Sequence, residues 1–377
     1  MFGLDSIKFI MAINILIIWK GEPELYKILK LKKTYRIIIA FVLIISILSA
    51  SIFIIFKDES QAISVGTDST GQKKYIKWVE FNACYDAMEK ALTLDVKSQI
   101  KEVKLDWVQL LAYLATKYGG NFKKYKSKDM DELVTKLNNG QTIEELTANM
   151  KYYSYYYEAY NAILGNFVGE YEVQVKDPEN EGSLKWEKKY GLKVFSPIAK
   201  GYSFSHYDDF GSGRSFGYAR KHLGNDLMGS IGTPIVAVES GIVEVMGWNM
   251  YGGWRIGIRS LDQKRYYYYA HLRKDRPFHA DMYEGKVVKA GDVIGYLGMT
   301  GYSTRENVNN ITTPHLHFGM QIIFDESQKE CVNELWINVY EIVNLLQKNR
   351  SSVVKDEETR DFYRVYDIMD GNSGYDF

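Results

Sequence analysis

His315-Leu316-His317-Phe318-Gly319-Met320-Gln321-Ile322 is the stretch on which the reading of this chain turns. Successive side chains of a strand point to opposite faces, so His315 and His317 project to one side while Leu316 and Phe318 enter a core. Two imidazoles then share a cleft. Upstream, His222 stands four residues before Asp226, and His271 closes Tyr269-Ala270-His271. A His, a carboxylate and a second His, with one coordination position left for water, form the donor set of a catalytic zinc site. A structural site would usually be closed with Cys. Cys84 and Cys331 lie far apart, outside any Cys-x-x-Cys motif, so they supply no metal framework.

Around that strand the sequence alternates in short runs with Gly and Pro turns from Pro178 onward, the pattern of an antiparallel β domain. Residues 235–238 and 242–245, joined through Glu239-Ser240-Gly241, predict a hairpin. Further strands are expected at 255–258, 266–271, 293–297 and 315–322, within a β-sheet domain spanning 190–325. Before it, apolar residues recur at three- and four-residue steps from Trp78 to Leu92 and from Trp107 to Tyr118. Thr142-Ile143-Glu144-Glu145 matches a capping box opening a long helix that ends near Gly165. The tyrosines between Tyr152 and Tyr160 are read as a packed helix face with a wet edge. A helical domain over 75–170 follows, and the fold class is α+β and multidomain. After the sheet, 326–377 is expected to hold an amphipathic helix over 332–346 and a charged, loosely ordered tail from Arg350.

The N-terminal part has its own signature. Residues 37–56 carry no charge and are rich in Ile, Leu, Val and Phe, long enough to cross a bilayer as a single transmembrane helix. Lys20, Lys27, Lys30, Lys32, Lys33 and Arg36 precede it, which places 1–36 in the cytoplasm and everything after the anchor outside the cell membrane. The run is longer than a signal-peptide core and lacks a small-residue cleavage pattern at its end, so an uncleaved anchor is favoured. The apolar stretch 9–19 is too short to span and suits an interfacial helix. Residues 57–74 read as a linker.

Composition excludes little else. Lys plus Arg equals Asp plus Glu at 47 each, so no global charge draws the chain toward nucleic acid. With 25% charged and 46% hydrophobic residues, the chain has the balance of a globular protein with a real core.

The motifs, taken in order, resemble the M23 family of zinc metallopeptidases, the lysostaphin and LytM group. The matching stretches are Gly213-Arg214, Tyr218, His222-Leu223-Gly224-Asn225-Asp226, Gly232-Thr233-Pro234-Ile235-Val236-Ala237, Gly241, Tyr269-Ala270-His271-Leu272, Gly291-Asp292-Val293-Ile294-Gly295, Gly298-Met299-Thr300-Gly301 and Pro314-His315-Leu316-His317-Phe318-Gly319. The resemblance implies Zn2+ held by His222, Asp226 and His317, with His271 and His315 as the catalytic pair. His315 would be the general base, and His271 would stabilise the oxyanion or help the proton transfer. The implied function is a zinc metalloendopeptidase cutting peptidoglycan peptides in the stem or cross-bridge. Two departures stand out: Gly319 where the family often has Glu or Asp, and an insertion at 305–313. His206 and His279 fall outside the motifs and are read as hydrogen-bonded loop residues. A two-His, one-carboxylate set also suits a non-haem Fe(II) oxygenase, but an exported site offers ferrous iron no protection. The competing class is a membrane-anchored scaffold with an envelope protein partner and little or no catalysis.

Overall fold

The computed structural model describes residues 76–329 and 333–370. The expected cytoplasmic segment 1–36, transmembrane helix 37–56 and linker 57–74 lie outside the described residues, as does Cys331. Among the described residues no helix is long and apolar enough to cross a membrane.

Among the described residues five α-helices come first: α1 (Tyr85–Ser98), α2 (Trp107–Tyr118), α3 (Ser127–Asn138), α4 (Ile143–Thr147) and α5 (Tyr153–Leu164). Helix α2 is as expected, capped by Asp106 accepting from Gln109 N and ended by Gly119 in the left-handed region. The first helix starts later than the apolar repeat suggested. Trp78 lies exposed, and the carbonyls of Ile76 and Trp78 accept from Gln328 and Tyr155, so this stretch stays outside the helix. The capping box at Thr142 and Glu145 forms, but it opens only α4. Thr147 Oγ1 donates back to Ile143 O, and the chain turns at Met150 before α5 begins. Helix α3, amphipathic through Met130 and Leu133, was not anticipated. The tyrosine face packs as expected: Tyr160 is fully buried, with Tyr153, Tyr155, Tyr156 and Tyr157 against the same core.

The strands follow as β1 (Val168–Lys176), β2 (Leu184–Leu192), β3 (Ser205–His206), β4 (Gly213–Phe216), β5 (Tyr218–Lys221), β6 (Asn225–Met228), β7 (Pro234–Val236), β8 (Gly241–Asn249), β9 (Gly253–Ser260), β10 (Arg265–Ala270), β11 (Val287–Val288), β12 (Val293–Tyr296), β13 (His315–Ile322) and β14 (Leu335–Ile337). Helix α6 (Tyr340–Leu346) and strands β15 (Val353–Lys355), β16 (Phe362–Arg364) and β17 (Ile368–Met369) complete the described chain. The main sheet is antiparallel in the order β11-β8-β9-β10-β13-β6-β3, with β14 paired to the far half of β13. Helices and sheet share one buried cluster that runs from Met88 and Leu111 through Ile258, Tyr269, Leu316 and Phe318 to Leu346. Arg265 ties the two together: fully buried on β10, it donates to Glu239 Oε2 at 2.8 Å and to Ala162 O of α5 at 2.6 Å.

Three expectations are corrected. The hairpin over 235–245 does not exist, because β7 pairs with β12 and β8 with β9 and β11. Glu239, at the expected turn, is instead buried against Arg265 and Tyr267, and the chain crosses between sheets there. The helix expected over 332–346 is only α6, since Leu335–Ile337 completes the edge of β13. The tail is not loosely ordered between 353 and 370. Strand β17 pairs with β1, and Asp361 is fully buried, accepting from Tyr296 Oη at 2.6 Å. Tyr296→Phe therefore leaves Asp361 one donor short inside the protein and should lower stability by about 1–3 kcal/mol in urea unfolding. A change near zero would show that the tail is not docked.

Candidate functional site

The register of β13 builds the site. His317 stands directly across from Asp226 on one side and Ala270 on the other. Opposed residues have Cβ atoms roughly 5 Å apart, so the carboxylate and the imidazole meet without any loop to place them. Leu316 and Phe318 are buried on the opposite face, as the alternation requires. His222, at the end of the short β4–β5 ribbon, brings Nε2 to 3.0 Å from Asp226 Oδ1 and 2.8 Å from His317 Nδ1. His317 Nδ1 is 3.2 Å from the same oxygen.

These three groups could hold a metal, with donor atoms all within 4.8 Å of one another. Ligands about 2.0–2.1 Å from a tetrahedral zinc stand roughly 3.3 Å apart, and the observed spacing is close to that. The hydrogen-bond pattern around them agrees. His222 Nδ1 faces the carbonyl and carboxylate of Asp209 at 3.2 and 3.1 Å, so that nitrogen carries the hydrogen and Nε2 keeps its lone pair. Asp226 gives Oδ2 to Arg214 Nη2 at 3.0 Å, leaving Oδ1 toward the histidines. Burial alone would raise the Asp226 carboxyl, but hydrogen bonds and charge from His222, His317 and His315 hold it far below the usual carboxylate range. Burial lowers the His317 imidazole, with Asp226 beside it working the other way.

The two remaining imidazoles lie beside this cluster. His315 Nε2 is 3.7 Å from Asp226 Oδ1, and its Nδ1 donates to Thr313 O at 2.7 Å. His271 follows the last residue of β10 at φ 60°, in the left-handed region, and its Nδ1 donates to Thr300 O at 2.8 Å. The ring centres of His271 and His315 are 4.8 Å apart. Both rings therefore turn a hydrogen-free Nε2 toward the cleft. Burial, then the charges of His315 and His317, bring the His271 pKa down to about 3. His206 stacks on Tyr340 and meets Asn344, and the buried His279 accepts from Asp281 N, both away from the cluster.

Residues 220–333 match the model of peptidase family M23. That stretch, which holds all five residues of the cluster, is similar to the family. It is 40% identical over 124 residues to the L-Ala–D-Glu endopeptidase of Bacillus subtilis, covering 33% of this chain and 36% of that one. It is 40% identical over 98 residues to the glycyl-glycine endopeptidase ALE-1 of Staphylococcus capitis, covering 26% and 24%. Among solved structures, the catalytic domain of the peptidase lysostaphin from Staphylococcus simulans is 34% identical, with 33% of this chain and 85% of that one covered and a TM-score of 0.27. The chain thus spans about a third or less of the length of these two curated relatives.

Both departures from the M23 pattern have a local cause or consequence. A Cβ on Gly319 would come within 2.8 Å of Leu223 O and 2.9 Å of the Trp336 ring, so a carboxylate side chain does not fit there. Trp336 belongs to β14, which pairs with the far half of β13. Gly224 is equally constrained, since a Cβ there would lie 2.7 Å from the His317 ring. The insertion at 305–313 forms one wall of a cleft of about 580 Å³ above the histidines, through Asn310, Ile311, Thr312 and Thr313. It is pinned by Asn307, which accepts from Trp254 Nε1 and donates to Asp275. A neighbouring groove of about 670 Å³ shares Leu223, Tyr268 and His317 with this cleft and runs on toward Trp336. Sequence reasoning assigned no role to Asp209, Arg214 or Thr300, because nothing in their spacing marks which backbone or carboxylate they will meet.

Proposed function

We propose that the protein is a zinc metalloendopeptidase acting on the stem or cross-bridge peptides of peptidoglycan, anchored by residues 37–56 with its M23 domain outside the cell. One observation carries the reading: His222, Asp226 and His317 converge their donor atoms while His271 and His315 present free Nε2 atoms beside them. The names of the relatives support the substrate class, since one cuts an L-Ala–D-Glu bond and another a glycyl-glycine bond. The uncharged run and its basic flank support the anchor.

A zinc ion held by these three ligands supplies Lewis acidity and brings the acidity of water near neutral. His315, its Nδ1 hydrogen committed to Thr313, accepts at Nε2 the proton of the attacking water and returns it to the leaving amine. His271 is neutral with its hydrogen on Nδ1, so its Nε2 accepts a hydrogen bond and orients the same water. It has no hydrogen to offer an oxyanion there, which favours the proton-transfer role over the oxyanion role. Arg214 occupies Asp226 Oδ2, which would leave Oδ1 to the metal.

Incubating the full chain with cell-wall sacculi should release muropeptides with new amino termini that a His317→Ala control does not produce. Release by both proteins, or by neither, would contradict the reading. A scaffold would need no complete donor set; the presence of every ligand favours hydrolysis.

A further inference from the structure

Two charged side chains lining the cleft, Arg220 and Lys221, have no use in the mechanism above. Arg220, on β5, holds its guanidinium carbon 4.8 Å from the ring centre of Tyr251 and 5.3 Å from that of Tyr302. Its Nη1 is buried and has no hydrogen-bond partner. Arg214, by contrast, is consumed by Asp209 and Asp226. Asp226 is the one acidic side chain lining the cleft among the described residues, while Arg220 and Lys221 both line it. A guanidinium with a buried, unsatisfied N–H is unfavourable unless something supplies an acceptor. Its planar fork matches a carboxylate in particular.

A purely structural role for Arg220 fits the contacts less well. The same β4–β5 ribbon already reaches both tyrosines through rings: Phe216 stacks on Tyr302 at 5.2 Å and Tyr218 meets Tyr251 edge-on at 5.7 Å. The two tyrosines are held without the guanidinium. They hold it in turn, its guanidinium carbon over both rings, on a residue that lines the cleft.

We propose that Arg220 is the carboxylate receptor of the cleft: it pairs with a free carboxylate on the substrate peptide, of the kind a D-glutamate residue carries, and so selects acidic over amidated stems. This assignment rests on the peptidoglycan reading.

The test compares the zinc-loaded full chain and its Arg220→Gln and Arg220→Lys variants on two forms of one wall preparation. The first is sacculi whose stems carry free carboxylates; the second is the same sacculi after carbodiimide coupling of those carboxyls to ammonia. The wild type should cleave the acidic form about ten- to a hundredfold faster than the amidated form, the worth of one charge-assisted hydrogen-bonded pair. Arg220→Gln should bring that ratio close to one, and Arg220→Lys should retain part of it. An unchanged ratio in Arg220→Gln, or loss of cleavage of both forms together, overturns the assignment. Equal cleavage of the two forms by the wild type also overturns it and leaves the peptidase reading standing. If the wild type cleaves neither form, the peptidoglycan reading itself falls.

Discussion

Asp226→Asn should lower hydrolysis by at least about 10,000-fold and release the metal, while the chain stays folded. Asn keeps the shape and an oxygen where Oδ1 stands, so packing against β13 is undisturbed. What it removes is the charge. In the protein that charge is stabilised far beyond an ordinary carboxylate by His222 and His317, with Arg214 on its other oxygen. Two neutral imidazoles and an amide are a much poorer donor set for a divalent cation than two imidazoles and a carboxylate. The variant also leaves Arg214 with Asp209 as its remaining ion-pair partner. The measurements are turnover on sacculi, zinc content after dialysis and urea unfolding in parallel. Full activity with Asn at this position would remove Asp226 from the metal site.

His315→Ala should separate chemistry from metal binding. It should cost about 100- to 10,000-fold in turnover, the span of a lost general base, and leave one zinc per chain. The geometry makes the distinction sharp. His315 Nε2 is farther from Asp226 Oδ1, at 3.7 Å, than the nitrogens of His222 and His317. Its Nδ1 is fixed by Thr313, on the inserted loop, so removing the ring disturbs the loop end and not the three converging donors. Zinc loss in His315→Ala would make it a ligand and would redraw the roles of all four imidazoles. His271→Ala should behave like His315→Ala in zinc content, since its ring is tied to Thr300.

The strand carrying His315 and His317 was legible residue for residue, because a period of two with apolar residues on the other face admits one orientation. The convergence of His222, Asp226 and His317 was legible as a motif, although its cause, the register of β13 against β6, is a long-range pairing that no local spacing encodes. The failures are of the same kind. Residues 235–245 have every local mark of a hairpin, yet Glu239 is committed to Arg265, and β7 closes on β12 far along the chain. Leu335-Trp336-Ile337 sits inside a helical repeat but completes a sheet edge that was open only there. The docking of residues 353–370 depends on Tyr296 and on β1, partners invisible from a charged tail read by itself. Local pattern reported the elements; the partners of buried polar groups decided where they went.

A crystal of the zinc-treated protein, measured on both sides of the zinc absorption edge, tests the central claim most directly. The account predicts a single anomalous peak about 2.0–2.2 Å from His222 Nε2, Asp226 Oδ1 and His317 Nδ1, with Nε2 of His271 and His315 outside its ligand shell. No peak, or a peak held by other residues, would contradict it.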